Sequence, residues 1–181
     1  QYSSLQNDLV GRVKMSYRLN NTGKSNYVTS FNFFGSSYHY LENLRYQVIT
    51  PGINLFFRTP DFRSNKRSTL SLYYYSVKRD SPPDIINTPN YELLYLRYIN
   101  SNRGALKYTS FDTGIQFSNK FTKIEISFDY RRLLPNGSQF TARFFGGKFL
   151  KHKQKESTFF DFNLNRPQDY LFRYNYFGRS E

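Results

Sequence analysis

Glu125 and Asp129 lie in the stretch KIEISFDYRR, residues 123–132, at a spacing that puts both carboxylates on one face of an extended strand. General acid–base chemistry would need them to converge in a concave site with separated pKa values. They alternate instead with Lys123, Ser127 and Arg131, the pattern of a charge ladder along a lumenal or solvated strand face. Asp80 and Asp84 sit in the loop DSPPDIINTPN, residues 80–90. Calcium takes about six to eight oxygens, so a turn is the simpler role for this pair. Gly146-Gly147-Lys148 is the nearest approach to a phosphate-binding glycine loop, but it lacks the P-loop spacing. A glycine pair here relieves crowding or forms a bulge within a strand. The run KHKQK, residues 151–155, can bind the phosphates of lipopolysaccharide or an acidic partner, or serve as a solvated hairpin loop. Neither His39 nor His152 belongs to a metal-ligand or Ser/His/acid pattern. With no cysteine in the chain, disulfide staples and thiolate metal sites are excluded. The expectation is no catalytic residue, no metal and no cofactor.

The chain holds 26 Lys and Arg against 13 Asp and Glu, a formal charge of +13. Such a field attracts phosphates, acidic glycans, lipid head groups or nucleic acid. Basic residues among aromatics are also what single-strand binders use. Here, however, aromatics occur in every strand-like run, with no localised platform, and an oligonucleotide-binding barrel has only five strands. Nucleic acid is therefore not an expected partner.

The elements that must carry these residues are strands. GRVKMSYRL, residues 11–19, alternates Val13, Met15, Tyr17 and Leu19 against Arg12, Lys14, Ser16 and Arg18. KIEISFDYRR alternates Ile124, Ile126, Phe128 and Tyr130 against Lys123, Glu125, Ser127, Asp129 and Arg131. A period of two defines a strand with one apolar and one polar face. Pro135-Asn136-Gly137 then marks a hairpin turn, and residues 138–150 form its second arm, with Arg143 on the polar side. Further strands are expected at 27–34, 46–58, 69–77, 91–99, 108–117 and 158–164, about nine in all. TLSLYYYSV, residues 69–77, is mostly apolar on both faces, as expected where two surfaces are covered. Pro51-Gly52 suggests a bulge or bend inside a long strand. No helical periodicity, internal boundary or exact repeat is present, so residues 1–181 read as one all-β domain.

Which face points inward decides the function. No stretch approaches the ~20 apolar residues of a membrane helix, and mean hydropathy is −0.70. A membrane barrel alternates, so its average hydropathy stays low as well. Several runs reach the ~9–11 residues of a tilted membrane strand, whereas ordinary strands average about 5–6. Turn-to-turn spacing is often roughly 15–20 residues, wider than the ~8–12 of soluble sandwiches. The chain carries 17 Tyr and 19 Phe, and Tyr17, Tyr27, Tyr46, Tyr91, Tyr108 and Tyr130 gather near run ends, where aromatic girdles sit.

SQFTARFFGGKFL (138–150) and RPQDYLFRYNYFGRSE (166–181), together with ITPGINLFFRTP (49–60), resemble the C-terminal region of long aminopeptidase-like surface proteins of Bacteroidota. In that family a gluzincin-type zinc peptidase domain precedes an outer-membrane β-barrel. The resemblance implies a barrel region and not a peptidase, because the family's HExxH motif has no counterpart around His39 or His152. It also implies further strands beyond Glu181. An odd strand count hints at a partial barrel, since bacterial single-chain barrels close with an even number. Residues 1–20 lack a basic-then-apolar leader, so the chain is expected to be a mature product, a cytosolic protein or an excised fragment.

The expectation is an antiparallel transmembrane β-barrel, or a segment of a larger one, in a bacterial outer membrane. Val13, Met15, Tyr17, Ile124, Ile126, Phe128 and Tyr130 would face lipid. Arg12, Lys14, Arg18, Lys123, Glu125, Asp129, Arg131 and Arg143 would face the lumen. Its partners would be outer-membrane lipid or lipopolysaccharide and other outer-membrane or secretion-complex subunits. Its role would be to anchor a larger surface protein, with a basic lumen that binds or passes anions. The alternative is a soluble basic β-sandwich or barrel binding an acidic polymer.

Overall fold

A computed structural model describes residues 2–3, 8–9, 11–19, 27–41, 44–57, 64–80 and 90–153. Among these residues the fold is all-β. Two short strands, β1 (Tyr2–Ser3) and β2 (Asp8–Leu9), pair with each other. The remaining eight form one antiparallel sheet whose spatial order follows the chain: β3 (Gly11–Leu19), β4 (Tyr27–Leu41), β5 (Leu44–Phe57), β6 (Lys66–Asp80), β7 (Tyr91–Arg103), β8 (Lys107–Phe117), β9 (Phe121–Leu133) and β10 (Gln139–His152). Every neighbour in space is a neighbour in sequence, so the sheet is a pure meander. β3 and β10 are its edges, and the sheet is not closed into a barrel.

The strands are longer than their alternating cores suggested. β4 and β6 each run for 15 residues, so the pairing continues well past Phe34 and past Val77. The strand expected at residues 158–164 lies outside the described residues.

Two local expectations are corrected. Pairing of β5 with β6 resumes at Gly52↔Tyr73 in the register it held at Ile49↔Ser76, so Pro51-Gly52 makes no bulge. The glycine is needed for space, because a Cβ on Gly52 would lie 2.2 Å from the Tyr73 ring. Gly146-Gly147 also stays in register, and the irregularity falls just beyond it, between Phe149 and Lys151.

The β9–β10 hairpin closes as its sequence requires. The Gly137 amide donates to the Leu134 carbonyl at 3.0 Å, closing a β-turn with Pro135 and Asn136 at its centre. The Asn136 side-chain oxygen accepts from the Ser138 amide at 3.1 Å. Gly137 follows with φ 79°, a left-handed position that glycine occupies without steric cost.

Among the described residues the buried apolar side chains gather at one end of one face. Val48, Tyr75, Val77, Tyr91, Leu93, Tyr95 and Phe121 pack there as a single cluster, with Tyr73 and Phe149 against it. The run at residues 69–77, expected to be covered on both sides, is covered on one. In β6 it divides into Tyr73, Tyr75 and Val77 on this face and Leu70, Leu72 and Tyr74 on the other, as the β6–β7 pairing fixes, and Leu72 and Tyr74 are exposed.

An uncovered apolar face opposite a polar one

Cross-strand pairing places each residue on one of two faces, because directly paired residues share a face and neighbours along a strand do not. Val13, Met15 and Tyr17 pair with Gly35, Phe33 and Phe31. Those pair in turn with Ile49, Pro51 and Ile53 on β5. On the far side, Ile124, Ile126, Phe128 and Tyr130 pair with Ile115, Thr113, Phe111 and Thr109. Registers carried through the whole sheet put all of these on one face. Arg12, Lys14, Arg18, Lys123, Glu125, Asp129, Arg131 and Arg143 all fall on the opposite, polar face.

Burial divides the same way, but inverted relative to a soluble sheet. Every buried side chain among the described residues lies on the polar face, including Ser30, Asn54, Ser71, Gln116 and Lys123. Every exposed large apolar side chain lies on the apolar face, except Leu106, Leu133, Leu134 and Leu150 at turns and strand ends. Lys123 is 1% exposed while Met15 is 64% exposed. Monomeric soluble proteins rarely leave a contiguous apolar patch of more than a few hundred Å² in water. Here one sheet face carries an apolar band across every strand from β3 to β10.

The apolar face is a bounded band. On β5 it runs from Ile49 to Phe57, and on β9 from Ile124 to Tyr130. At about 3.3 Å per residue these spans are roughly 20–26 Å along the strand. Beyond them the same face turns polar, with Ser76, Lys78 and Glu92 at one end and Lys66, Ser68 and Asn100 at the other. Aromatic side chains stand at the second boundary. Tyr27 meets Phe57 edge-on at 6.4 Å, and Tyr130 meets Phe140 at 6.1 Å. Tyr98 receives a hydrogen bond from the Asn100 side chain at 3.3 Å. Within the band, Thr113 satisfies its hydroxyl internally, donating to the Glu125 carbonyl at 3.1 Å.

The band is also oblique. One row of paired residues runs Phe31, Ile53, Leu72, Leu96, Ile115, Ile124, Lys148. It starts in the middle of the band on β4 and ends outside it on β10, where the band is centred near Phe144. A drift of four to five residues over six inter-strand steps of about 4.8 Å corresponds to a strand tilt of roughly 25–30°. A flat water-facing sheet gives no reason for such a drift, whereas membrane strands tilt by about 35–45°.

The polar face carries side-chain hydrogen bonds and ion pairs between neighbouring strands. Ser16 donates to Asn32 at 3.0 Å, and the Tyr73 hydroxyl donates to Asn54 at 2.8 Å. The Tyr95 hydroxyl donates to Glu125 at 2.7 Å. The Arg97 guanidinium grips the Asp112 carboxylate with two nitrogens, its Nε lying 2.9 Å from Oδ1. Arg143 faces Asp129 at 3.3 Å. Glu125 and Asp129 therefore point to different partners and do not converge as an acid–base pair. Among the described residues no cluster of His, Cys, Asp or Glu could hold a metal ion. Asp84, the side chains of Asp80 and His39, and Gln154 and Lys155 of KHKQK lie outside what is described.

Tyr46, Tyr91 and Tyr108 are not part of a girdle on the apolar face. Tyr46 and Tyr91 lie under the Arg79 guanidinium at 4.9 and 5.7 Å, and Tyr108 lies under Arg131 at 5.4 Å. Arg12 over Phe34 and Arg18 over Phe56 repeat the arrangement on the same face. Strand-end position alone does not say to which side a tyrosine points.

No protein-family model, curated protein or solved structure matches this chain.

Proposed function

We propose that the chain forms the wall of a transmembrane β-barrel in a bacterial outer membrane, complete or part of a larger one. In this reading Val13, Met15, Tyr17, Ile124, Ile126, Phe128 and Tyr130 face lipid. Arg12, Lys14, Arg18, Lys123, Glu125, Asp129, Arg131 and Arg143 line the lumen. The single observation that carries it is the inversion of burial, with the exposed apolar side chains on one face and the buried polar ones on the other. A bilayer is the solvent in which that arrangement is favourable, since apolar side chains lose nothing against lipid tails and polar groups are satisfied inside. The obliqueness of the band and its aromatic boundary support the same reading. Edges at β3 and β10 cannot stay unpaired at membrane depth, so the functional wall is closed through those strands.

The role of such a wall is to anchor a larger surface protein or partner complex, and its basic lumen binds or passes anions. The Bacteroidota aminopeptidase-like resemblance adds a cargo to this proposal, a peptidase domain outside the chain. It rests on residues 49–60, 138–150 and 166–181, and the full gene product tests it directly. A soluble basic sheet binding an acidic polymer would need a layer covering the apolar face.

Detergent dependence tests the reading. The purified chain should be monodisperse in detergent micelles and aggregate on detergent removal. A monodisperse chain in detergent-free buffer would refute the membrane assignment.

A further inference from the structure

On the apolar face, at the boundary where the band gives way to Ser76 and Glu92, a groove of about 560 Å³ opens across β6 to β9. Its membrane-side walls are Tyr74, Leu94 and Phe117, all exposed. Its outer lip holds Lys78, Asn90 and Glu92. The lip is tied in place. The Ser118 hydroxyl donates to the Glu92 carbonyl at 2.8 Å, and the Lys120 ammonium donates to the Asn90 carbonyl at 3.0 Å. These two bonds clamp the β8–β9 turn against the start of β7. The groove is amphiphilic along its length, apolar at Tyr74, Leu94 and Phe117 and charged at Lys78 and Glu92.

Its charges are arranged in a specific way. Glu92 pairs with Ser76 across the β6–β7 ladder, so Lys78 stands one same-face position further out on the neighbouring strand. Such diagonal positions are about 7–8 Å apart. Lys78 has no ion-pair partner among the described residues. A cation and an anion held apart at a membrane boundary, above apolar walls, complement a ligand with the opposite pair of charges and an acyl tail.

We infer that this groove is a binding site for a bilayer phospholipid with a zwitterionic, primary-amine head group. The phosphate lies against Lys78, the ammonium donates to Glu92, and the acyl chain follows Tyr74, Leu94 and Phe117 into the band. An anionic head group without an amine satisfies Lys78 but faces repulsion from Glu92. A quaternary amine brings the charge but no N–H to donate. The inference rests on the membrane reading and narrows its lipid partner to one chemistry at one place.

The test uses the full chain in detergent micelles with dioctanoyl phosphatidylethanolamine, phosphatidylglycerol and phosphatidylcholine, counting retained lipids by native mass spectrometry. Phosphatidylethanolamine should be retained about tenfold more strongly than either competitor, the ratio that one charge-assisted hydrogen bond supports. Glu92→Gln should bring it down to the level of phosphatidylcholine, and Lys78→Glu should weaken all three. Both side chains are exposed, so the variants should keep the fold, checked by unchanged flotation with vesicles. Equal retention of the three lipids, or an unaltered preference in Glu92→Gln, would overturn the inference while vesicle flotation left the membrane reading standing. A chain that does not float with vesicles at all overturns both.

Discussion

The Tyr95 ring fills the space above Gly114 on the neighbouring strand, where a Cβ would lie 2.7 Å from the ring. From that position its hydroxyl reaches one strand further and donates to Glu125 at 2.7 Å. One side chain thus spans β7, β8 and β9 on the polar face, and the glycine beneath it makes the reach possible. Tyr73 over Gly52 repeats the device on β6 and β5, with its hydroxyl on Asn54.

Gly114→Val should displace the Tyr95 ring and cost about 1–3 kcal/mol, the usual range for overpacking a close contact. Tyr95→Phe keeps the ring and removes only the hydrogen bond to a carboxylate, at about 1–2 kcal/mol. Urea unfolding of the chain in micelles reads both. A Gly114→Val variant as stable as the parent would mean the ring has room to move aside.

Phe128→Arg places a charge on the apolar face near the middle of its band. In a bilayer this should cost about 2–4 kcal/mol. Ser127→Arg, one residue away on the polar face, should cost under about 1 kcal/mol, as surface substitutions do. Folding yield into lipid vesicles separates the two. Equal penalties would mean that the faces do not differ in solvent.

Asp112 and Asp129 are matched by Arg97 and Arg143, and Glu125 receives Tyr95. Lys14, Arg18, Arg67, Arg103 and Arg131 remain on the polar face in excess of these carboxylates. A pore lined by this face should favour anions. In a planar bilayer under a KCl gradient the reversal potential should take the sign for chloride. Arg18→Glu combined with Arg131→Glu should move it towards zero, and a cation-selective parent channel would contradict the expectation.

The two faces were legible because alternation is local. GRVKMSYRL and KIEISFDYRR each declare their sides without reference to any other strand, and the structure extends those sides into continuous faces by register. Cross-strand partnerships were not legible in the same way. Arg97 and Asp112 attracted no notice in the sequence, since nothing in YLRYI or SFDTG says that they will stand side by side, and only the β7–β8 register brings them together. Gly52 was noticed but given the wrong role, because a glycine that makes room for a ring and one that makes a bulge look alike in one dimension. The buried cluster at Val48, Tyr75, Tyr91 and Phe121 was foreshadowed only by the doubly apolar run at residues 69–77. Its members come from four strands, and their meeting depends on the whole meander.

The absence of cysteine makes the central claim directly measurable, since any introduced cysteine is unique. Phe128→Cys and Ser127→Cys, each carrying a small fluorophore, can be folded into vesicles whose acyl chains are brominated near the bilayer centre. The account predicts strong quenching at 128 and little at 127, since adjacent residues on a membrane strand point to lipid and lumen in turn. Equal quenching at the two positions, or none at either, would contradict it.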